Sequence, residues 1–230
     1  MGNGPILLNI GNTHVQRQDS PGAEIVTVET AAFCVEDLPK GVPCAAACVV
    51  PAFLPALKDR HVLIVNAETA GSLIDFSAVD PRTLGADRIA NAAALIDMGI
   101  TPAVCIDAGT AVTFEVVSGN RFLGGAILPG RRLLRKALHT GTAQLPEIPL
   151  AGEMPSFPAV CTVDAIRWGT DGMLVEGVKG LLRYFPQETY RYIVTGGDAL
   201  FLKQYITNLE VAPHDLTLRG VHSIYRSYCK

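Results

Sequence analysis

Short apolar runs broken by polar residues dominate the first third of the chain. PILLNI (5–10), EIVTVET (24–30), AAACVV (45–50) and VLIVNA (62–67) are each bounded by polar or turn residues and predict strands. The period then changes. LGADRIANAAALIDMG (84–99) is alanine-rich, spaces its apolar residues as a helix does and closes on Gly99. AVCIDAGTAVTFEVVSGNRFLGGAI (103–127) reads as strand, tight turn, strand, Ser-Gly-Asn turn, strand. RRLLRKALHTG (131–141) predicts a helix, and residues 146–160, with four prolines, predict a surface loop. A long helical pattern fills 162–185, with glycines at 169, 172, 177 and 180. YIVTGG (192–197) predicts a buried strand ending in a glycine turn, and 198–208 and 218–228 predict closing helices.

One internal similarity organises these elements. LLNIGNTHVQ (7–16) and VCIDAGTAVTF (104–114) both run from an apolar strand through Asn or Asp and a glycine into a second strand. Asn9 opens one turn and Asp107 the other. The pattern predicts an α/β protein of two similar halves, residues 1–102 and 103–230, facing each other across a cleft that receives both turns.

Composition narrows the class. A chain of 230 residues has core enough for one large domain or two modest ones. Its 49% hydrophobic and 18% charged residues fit α/β layers whose strands are buried on both faces. A net charge of −3 without a basic block argues against nucleic acid as the main partner. The longest uncharged apolar run, 42–57, is interrupted by Pro51 and Pro55, so it predicts a strand and a helix start and no membrane span. The first residues, MGNGPILLN, lack the basic region and cleavage site of a signal peptide. Six scattered cysteines include Cys44 and Cys48 in a CxxxC without further ligands at zinc-site spacing. They read as reduced thiols, mostly buried, of a cytoplasmic protein.

Candidate chemistry gathers at the turns. In Asp107-Ala108-Gly109-Thr110, glycine lets backbone amides approach an anion, Thr110 and Thr113 add hydroxyls, and Asp107 offers a hard oxygen to a cation. An ordinary turn opened by Asp would look much the same. Asn9-Ile10-Gly11-Asn12-Thr13 repeats the layout with a neutral first residue. Asp87 and Arg88 fall where a loop enters a helix. There Asp87 serves either as a general base or only as a favourable charge on the helix dipole, and Arg88 holds an anionic substrate group or lies on the surface. Gly124-Gly125 and Gly196-Gly197 allow close backbone approach or simply make turns, and the amides at Gly196 could face a nucleotide.

Together these residues resemble the type III pantothenate kinases. The resemblance covers nearly the whole chain, with the motifs in family order. The family's Asp-x-Gly-Asn-Thr is similar to residues 9–13, its Gly-x-Asp-Arg to 85–88 and its Asp-x-Gly-Thr to 107–110. GGxIxPG corresponds to 124–130, and Thr-x-x-Leu-Pro to 142–146. The resemblance implies two ribonuclease-H-like domains of the acetate/sugar-kinase, Hsp70 and actin-like fold, with nucleotide between them. It implies ATP-dependent phosphorylation of pantothenate, the first committed step towards coenzyme A, in a homodimer. By the same carry-over Asp87 is the proton acceptor, and Gly85, Ala86, Arg88 and Thr162 contact pantothenate. Asn9, Gly11, Asn12, Thr13, Gly109, Thr110, Thr113 and Gly196 lie on ATP with its Mg²⁺. Asp107 binds a monovalent cation, K⁺ or NH₄⁺.

Four departures qualify the match. Asn9 replaces the family's first aspartate, Ala78 stands where a tyrosine is frequent, Cys161 replaces the asparagine before Thr162, and the chain is shorter than is typical. Asn9 removes a negative charge beside the triphosphate and leaves a weaker acceptor for metal-bound water. Two other functions therefore compete: a non-catalytic relative that binds a ligand or partner, and a kinase of the same fold for another small hydroxylated acid.

Overall fold

The computed structural model describes residues 4–150 and 153–230. Two mixed sheets share one plan. In the first, β1 (Ile6–Ile10), β2 (His14–Gln18), β3 (Val26–Glu29), β4 (Cys44–Cys48) and β5 (Leu63–Ile64) lie in the order β3-β2-β1-β4-β5. The second contains β6 (Ala103–Ala108), β7 (Ala111–Ser118), β8 (Arg121–Gly124), β9 (Ile127–Pro129), β10 (Arg191–Thr195) and β11 (Glu210–Val211). Its order is β11-β10-β6-β7-β8, with β9 also on β7. β1 and β6 are equivalents: each pairs antiparallel with the strand after its turn and parallel with a later strand, β4 or β10.

Strand parity sorts the side chains into layers. Leu7, Ala45 and Ala47 of the first sheet face Ala103, Cys105 and Val117 of the second across a shared core. That core is filled by helices. Of α1 (Leu54–Asp59), α2 (Ala67–Ala70) and α3 (Ala86–Asp97), the last lies between the sheets. Of α4 (Arg131–Thr140), α5 (Thr162–Arg167), α6 (Met173–Leu182), α7 (Ala199–Tyr205) and α8 (Leu216–Tyr228), α8 joins α3 there. The opposite faces hold Ile6, Leu8 and Ile10 with Leu57 of α1, and Val104 and Ile106 with Val175 of α6 and Leu202 of α7. The strands therefore divide between 6–64 and 103–211, while α8 packs back onto β1 and β4.

Small residues let the middle layer be thin. Ala90, Ala92, Ala93 and Ala94 of α3 are fully buried. At the crossing of α3 and α8, a Cβ on Gly220 would stand 1.7 Å from the Ala90 carbonyl oxygen, so the helices meet backbone to backbone. α3 stops where the sequence predicts: Gly99 has φ +67°, its amide reaches the Ile96 carbonyl at 3.0 Å, and the Ile100 amide reaches Leu95 at 2.8 Å. This is a Schellman closure.

Two elements differ from the sequence pattern. The run at 62–67 keeps only two strand residues. Asn66 Oδ1 accepts from the Thr69 amide at 2.9 Å and the Asn66 amide donates to Thr69 Oγ1 at 3.0 Å, a capping box that starts α2 instead. The helix at 162–185 contains a π-helical segment, Trp168–Gly172. There Thr170 Oγ1 donates to the Ile166 carbonyl at 2.8 Å, and a Cβ on Gly172 would come within 2.3 Å of the Trp168 ring. Of the loop predicted at 146–160, residues 151 and 152 lie outside the described residues.

Candidate active site

The two similar turns meet. Thr13 Oγ1 and Thr110 Oγ1 are 2.9 Å apart, although the residues are 97 positions apart in sequence. The first turn is tied by the Gly11 amide to the His14 carbonyl (3.0 Å) and by Thr30 Oγ1 to the Gly11 carbonyl (2.7 Å). The second is tied by the Gly109 amide to Ala111 and the Gly130 amide to Thr110, both at 3.0 Å. Asn12, Thr13 and Thr110 remain exposed at the tips.

Parity places Asn9 and Asp107 on the inner faces of their sheets, with Leu7 and Cys105. Asn9 Nδ2 donates to Gln16 Oε1, its cross-strand neighbour, at 3.2 Å. Asp107 Oδ2 accepts from Asn91 Nδ2 at 3.1 Å, and Asn91 Oδ1 accepts from Thr217 Oγ1 at 2.8 Å. A polar chain thus crosses the middle layer from β6 through α3 to α8. Burial lifts the Asp107 carboxyl to about 6, opposed by the Asn91 bond and assisted by the charge of Asp87.

Gly196 completes this corner. Its φ of +88° suits glycine, and a Cβ there would sit 2.6 Å from Asp107 Oδ1. The space that glycine leaves beside a carboxylate oxygen is suited to a hard cation. Among the described residues, no three His, Cys, Asp or Glu side chains are grouped to hold a metal. Mg²⁺ commonly takes one or two carboxylates and completes its shell with water and phosphate oxygens. The Asn9 amide oxygen suits an ion held mostly through water and phosphate, and the Asp107 carboxylate leaves a separate hard oxygen for a monovalent cation.

Gly85-Ala86-Asp87-Arg88 opens α3, with Gly85 as its N-cap. Asp87 Oδ1 accepts from the Arg88 amide at 2.8 Å, and burial raises the Asp87 pKa against that bond and the Arg88 charge. A partly buried carboxylate with raised basicity suits a proton acceptor. Arg88 is anchored rather than loose. Nε donates to Glu115 Oε1 at 3.0 Å and Nη2 to the Phe114 carbonyl at 2.8 Å, and the guanidinium lies 5.8 Å from the Phe122 ring centroid. A Cβ on Gly125 would be 1.6 Å from the Phe114 oxygen and 2.9 Å from Arg88 Nη2, so this glycine makes room for the anchor.

Most of the expected residues therefore converge: the turns at 9–13 and 107–110, Thr113 paired with Asp107 across the strands, Gly196, and 85–88. Thr162 is different. It stands exposed at the start of α5, and no side-chain hydrogen bond joins it to the group among the described residues. Glu115, Asn91 and Gln16 are absent from the sequence expectations. The available signal was a single acidic residue inside the apolar strand AVTFEVV and a single amide inside an alanine helix.

The site's neighbours are informative. A family model described as type III pantothenate kinase matches residues 11–184. The type III pantothenate kinase of Rubrobacter xylanophilus is 37% identical over 155 residues, covering 64% of this chain and 59% of the relative. That of Agathobacter rectalis is 30% identical over 209 residues, covering 84% and 76%. The chain thus spans about three fifths of the length of the first relative. Among solved structures, a conserved Baf family protein of Campylobacter jejuni superposes with a TM-score of 0.71 at 24% identity, covering 96% and 97%. The activator of the 2-hydroxyisocaproyl-CoA dehydratase from Clostridium difficile, with bound ADPNP, gives 0.54 at 12%, covering 97% and 95%. The fold is the α/β actin-like ATPase fold, built here from two mixed sheets. With the family model matching most of its length, the chain belongs to the type III pantothenate kinase family.

Proposed function

We propose that the protein transfers the γ-phosphoryl group of ATP to pantothenate, giving 4′-phosphopantothenate, as in the first step of coenzyme A biosynthesis. One observation carries the reading: a carboxylate of raised basicity, Asp87, opens the helix packed between the two sheets whose phosphate-type turns meet. In the reaction, the acceptor hydroxyl gives its proton to Asp87 while its oxygen bonds to the γ-phosphorus, and the bond to the bridging oxygen breaks to release ADP. Gly11, Asn12, Thr13, Gly109, Thr110 and Thr113 hold the phosphates by amides and hydroxyls, and Gly196 borders the nucleotide. Arg88 faces the carboxylate of pantothenate beside Gly85 and Ala86.

Two cations go with this reading. Asn9 would hold Mg²⁺ through a bound water beside the phosphates, and Asp107 would hold K⁺ or NH₄⁺; both would offset phosphate charge. The two sheets act as domains divided near residue 102, and the working form is a cytoplasmic homodimer. Phe157, Val160, Val163 and Met173 are exposed apolar residues flanking Thr162, which supports a subunit contact that brings Thr162 to a pantothenate pocket.

The test is direct. Purified protein with Mg-ATP and pantothenate is assayed by mass spectrometry for phosphopantothenate, in K⁺ buffer and in a large organic cation, with light scattering for the mass in solution. Product formation that needs K⁺, from a particle of twice the chain mass, is expected. ATP turnover indifferent to pantothenate, or no turnover, overturns the assignment. A scattering mass of one chain removes the dimer alone.

A further inference from the structure

Glu115 is a carboxylate with no exposed surface in the middle of β7, and its role is not explained by holding the fold together. Its Oε1 accepts from Arg88 Nε at 3.0 Å, whereas Oε2 is buried without a hydrogen-bond partner. Such a group is expensive to bury, and apolar residues of similar volume generally stabilise a core as well or better. Its neighbours explain where it points. Arg88 comes from α3, Asp107 and Cys105 from β6 and Thr113 from β7, all on the inner face beside the cleft.

Arg88 has five N–H donors. Glu115 takes the one on Nε and the Phe114 carbonyl takes one on Nη2. Both hydrogen bonds lie along one edge of the planar guanidinium, so its plane is fixed. The three remaining donors, two on Nη1 and one on Nη2, make no hydrogen bond within the chain among the described residues. One on each of Nη1 and Nη2 lies along the end-on edge, which matches a carboxylate in a bidentate pair.

We propose that Glu115 is a positioning residue of the acceptor site, holding Arg88 so that its free edge selects an acceptor bearing a carboxylate. Glu115 touches no substrate. It acts through Arg88, and the discrimination lies between pantothenate and an acceptor of the same shape without the negative charge. This inference rests on the pantothenate reading above.

The experiment compares the parent with E115Q, using pantothenate and its primary-alcohol analogue, in which the carboxylate is replaced by a hydroxymethyl group. Glutamine keeps an oxygen for Nε but removes the carboxylate's charge, so the ion pair becomes a hydrogen bond to a neutral acceptor; the KM values are read at pH 9, above the value of about 8 to which burial lifts Glu115. The pantothenate KM should rise roughly tenfold, as expected for a loss near 1.4 kcal/mol. The KM for the alcohol and for ATP should stay within about twofold, far below the roughly tenfold step that 1.4 kcal/mol makes. Loss of packing alone would move both acceptors together, and that result, or no change in either, overturns the proposal. In an R88M background E115Q should add nothing to the pantothenate KM, because methionine keeps the length of the side chain but has no donor or charge through which Glu115 could act. An additional loss there also overturns it. E115D, which keeps the charge but withdraws the oxygen by one methylene, replaces E115Q should that variant fail to fold, with the same separation between acceptors expected. A parent that phosphorylates pantothenate while the variants leave the acceptor ratio unchanged defeats the role of Glu115 alone. A parent without pantothenate turnover defeats the functional reading and this inference with it.

Discussion

Asp87 and Asn9 test the site one side chain at a time. Asp87→Asn keeps the size and the Arg88 amide contact but cannot take a proton. The expected result is a fall in kcat of about 10²–10⁴ with the ATP KM unchanged, since the turns and not Asp87 grip the phosphates. A variant as fast as the parent would remove Asp87 from the reaction. Asn9 poses a different question, because it stands neutral where the proposed phosphate site would otherwise carry a carboxylate. Its amide already pairs with Gln16, whose side chain can turn and donate through Nε2 instead. A carboxylate at position 9 would therefore find a donor. Charge-assisted hydrogen bonds contribute roughly 1.5–3 kcal/mol, so Asn9→Asp should lower the Mg²⁺ needed for half-maximal activity by about 10–100-fold. Titration of activity against Mg²⁺ checks this, and a lower melting temperature with no change in Mg²⁺ demand would show that the loop serves another purpose.

At the level of elements, α3 and α8 cross backbone to backbone. Gly220→Ala gains up to about 1 kcal/mol of helix propensity, yet the new Cβ would lie 1.7 Å from the Ala90 oxygen. Separating the helices should dominate, at an overpacking cost of about 1–3 kcal/mol. The melting temperature should fall by roughly 2–12 °C for a chain of this size; an unchanged or raised value would mean the helices slide apart freely. The same elements show what was legible in the sequence. The two hairpins, α3 with its Gly99 stop, and the strand at 192–195 follow from period and punctuation, which are local. The capping box at Asn66 was readable too, but the apolar run around it hid a two-residue strand. The nearness of the two turns was expected from their internal similarity, whereas the pairing of Arg88 with Glu115 depends on which faces two sheets turn to each other. Periodicity gives a face its parity, and only the assembled layers say what lies opposite.

For the molecule as a whole, burying carboxylates between two sheets ties stability to pH. Burial raises Glu115 to about 8 against the pull of Arg88, and Asp107 to about 6. Unfolded carboxyls release their protons near pH 4. The folded state therefore holds protons that the unfolded chain has lost, and stability falls as pH rises, through about 6 for Asp107 and about 8 for Glu115. His222, lowered by burial, acts in the opposite sense below its ordinary value of 6.5. Between pH 6.5 and 8 the slope belongs to Glu115, so the parent's melting temperature should decline there and level off above about 8, while that of E115Q should stay level throughout. A parallel decline in both would assign the slope to another group. The middle layer has a further consequence, for the making of the protein. Asn91 on α3 and Thr217 on α8, which seal it, are separated by 126 residues. At a synthesis rate of about 5–20 residues per second, the gap lasts roughly 6–25 s. During that time the alanine face of α3 and the inner side of β1 and β4 have left the ribosome without their cover. A nascent chain of this design keeps that apolar surface uncovered until α8 arrives and completes the polar chain from Asp107 through Asn91 to Thr217.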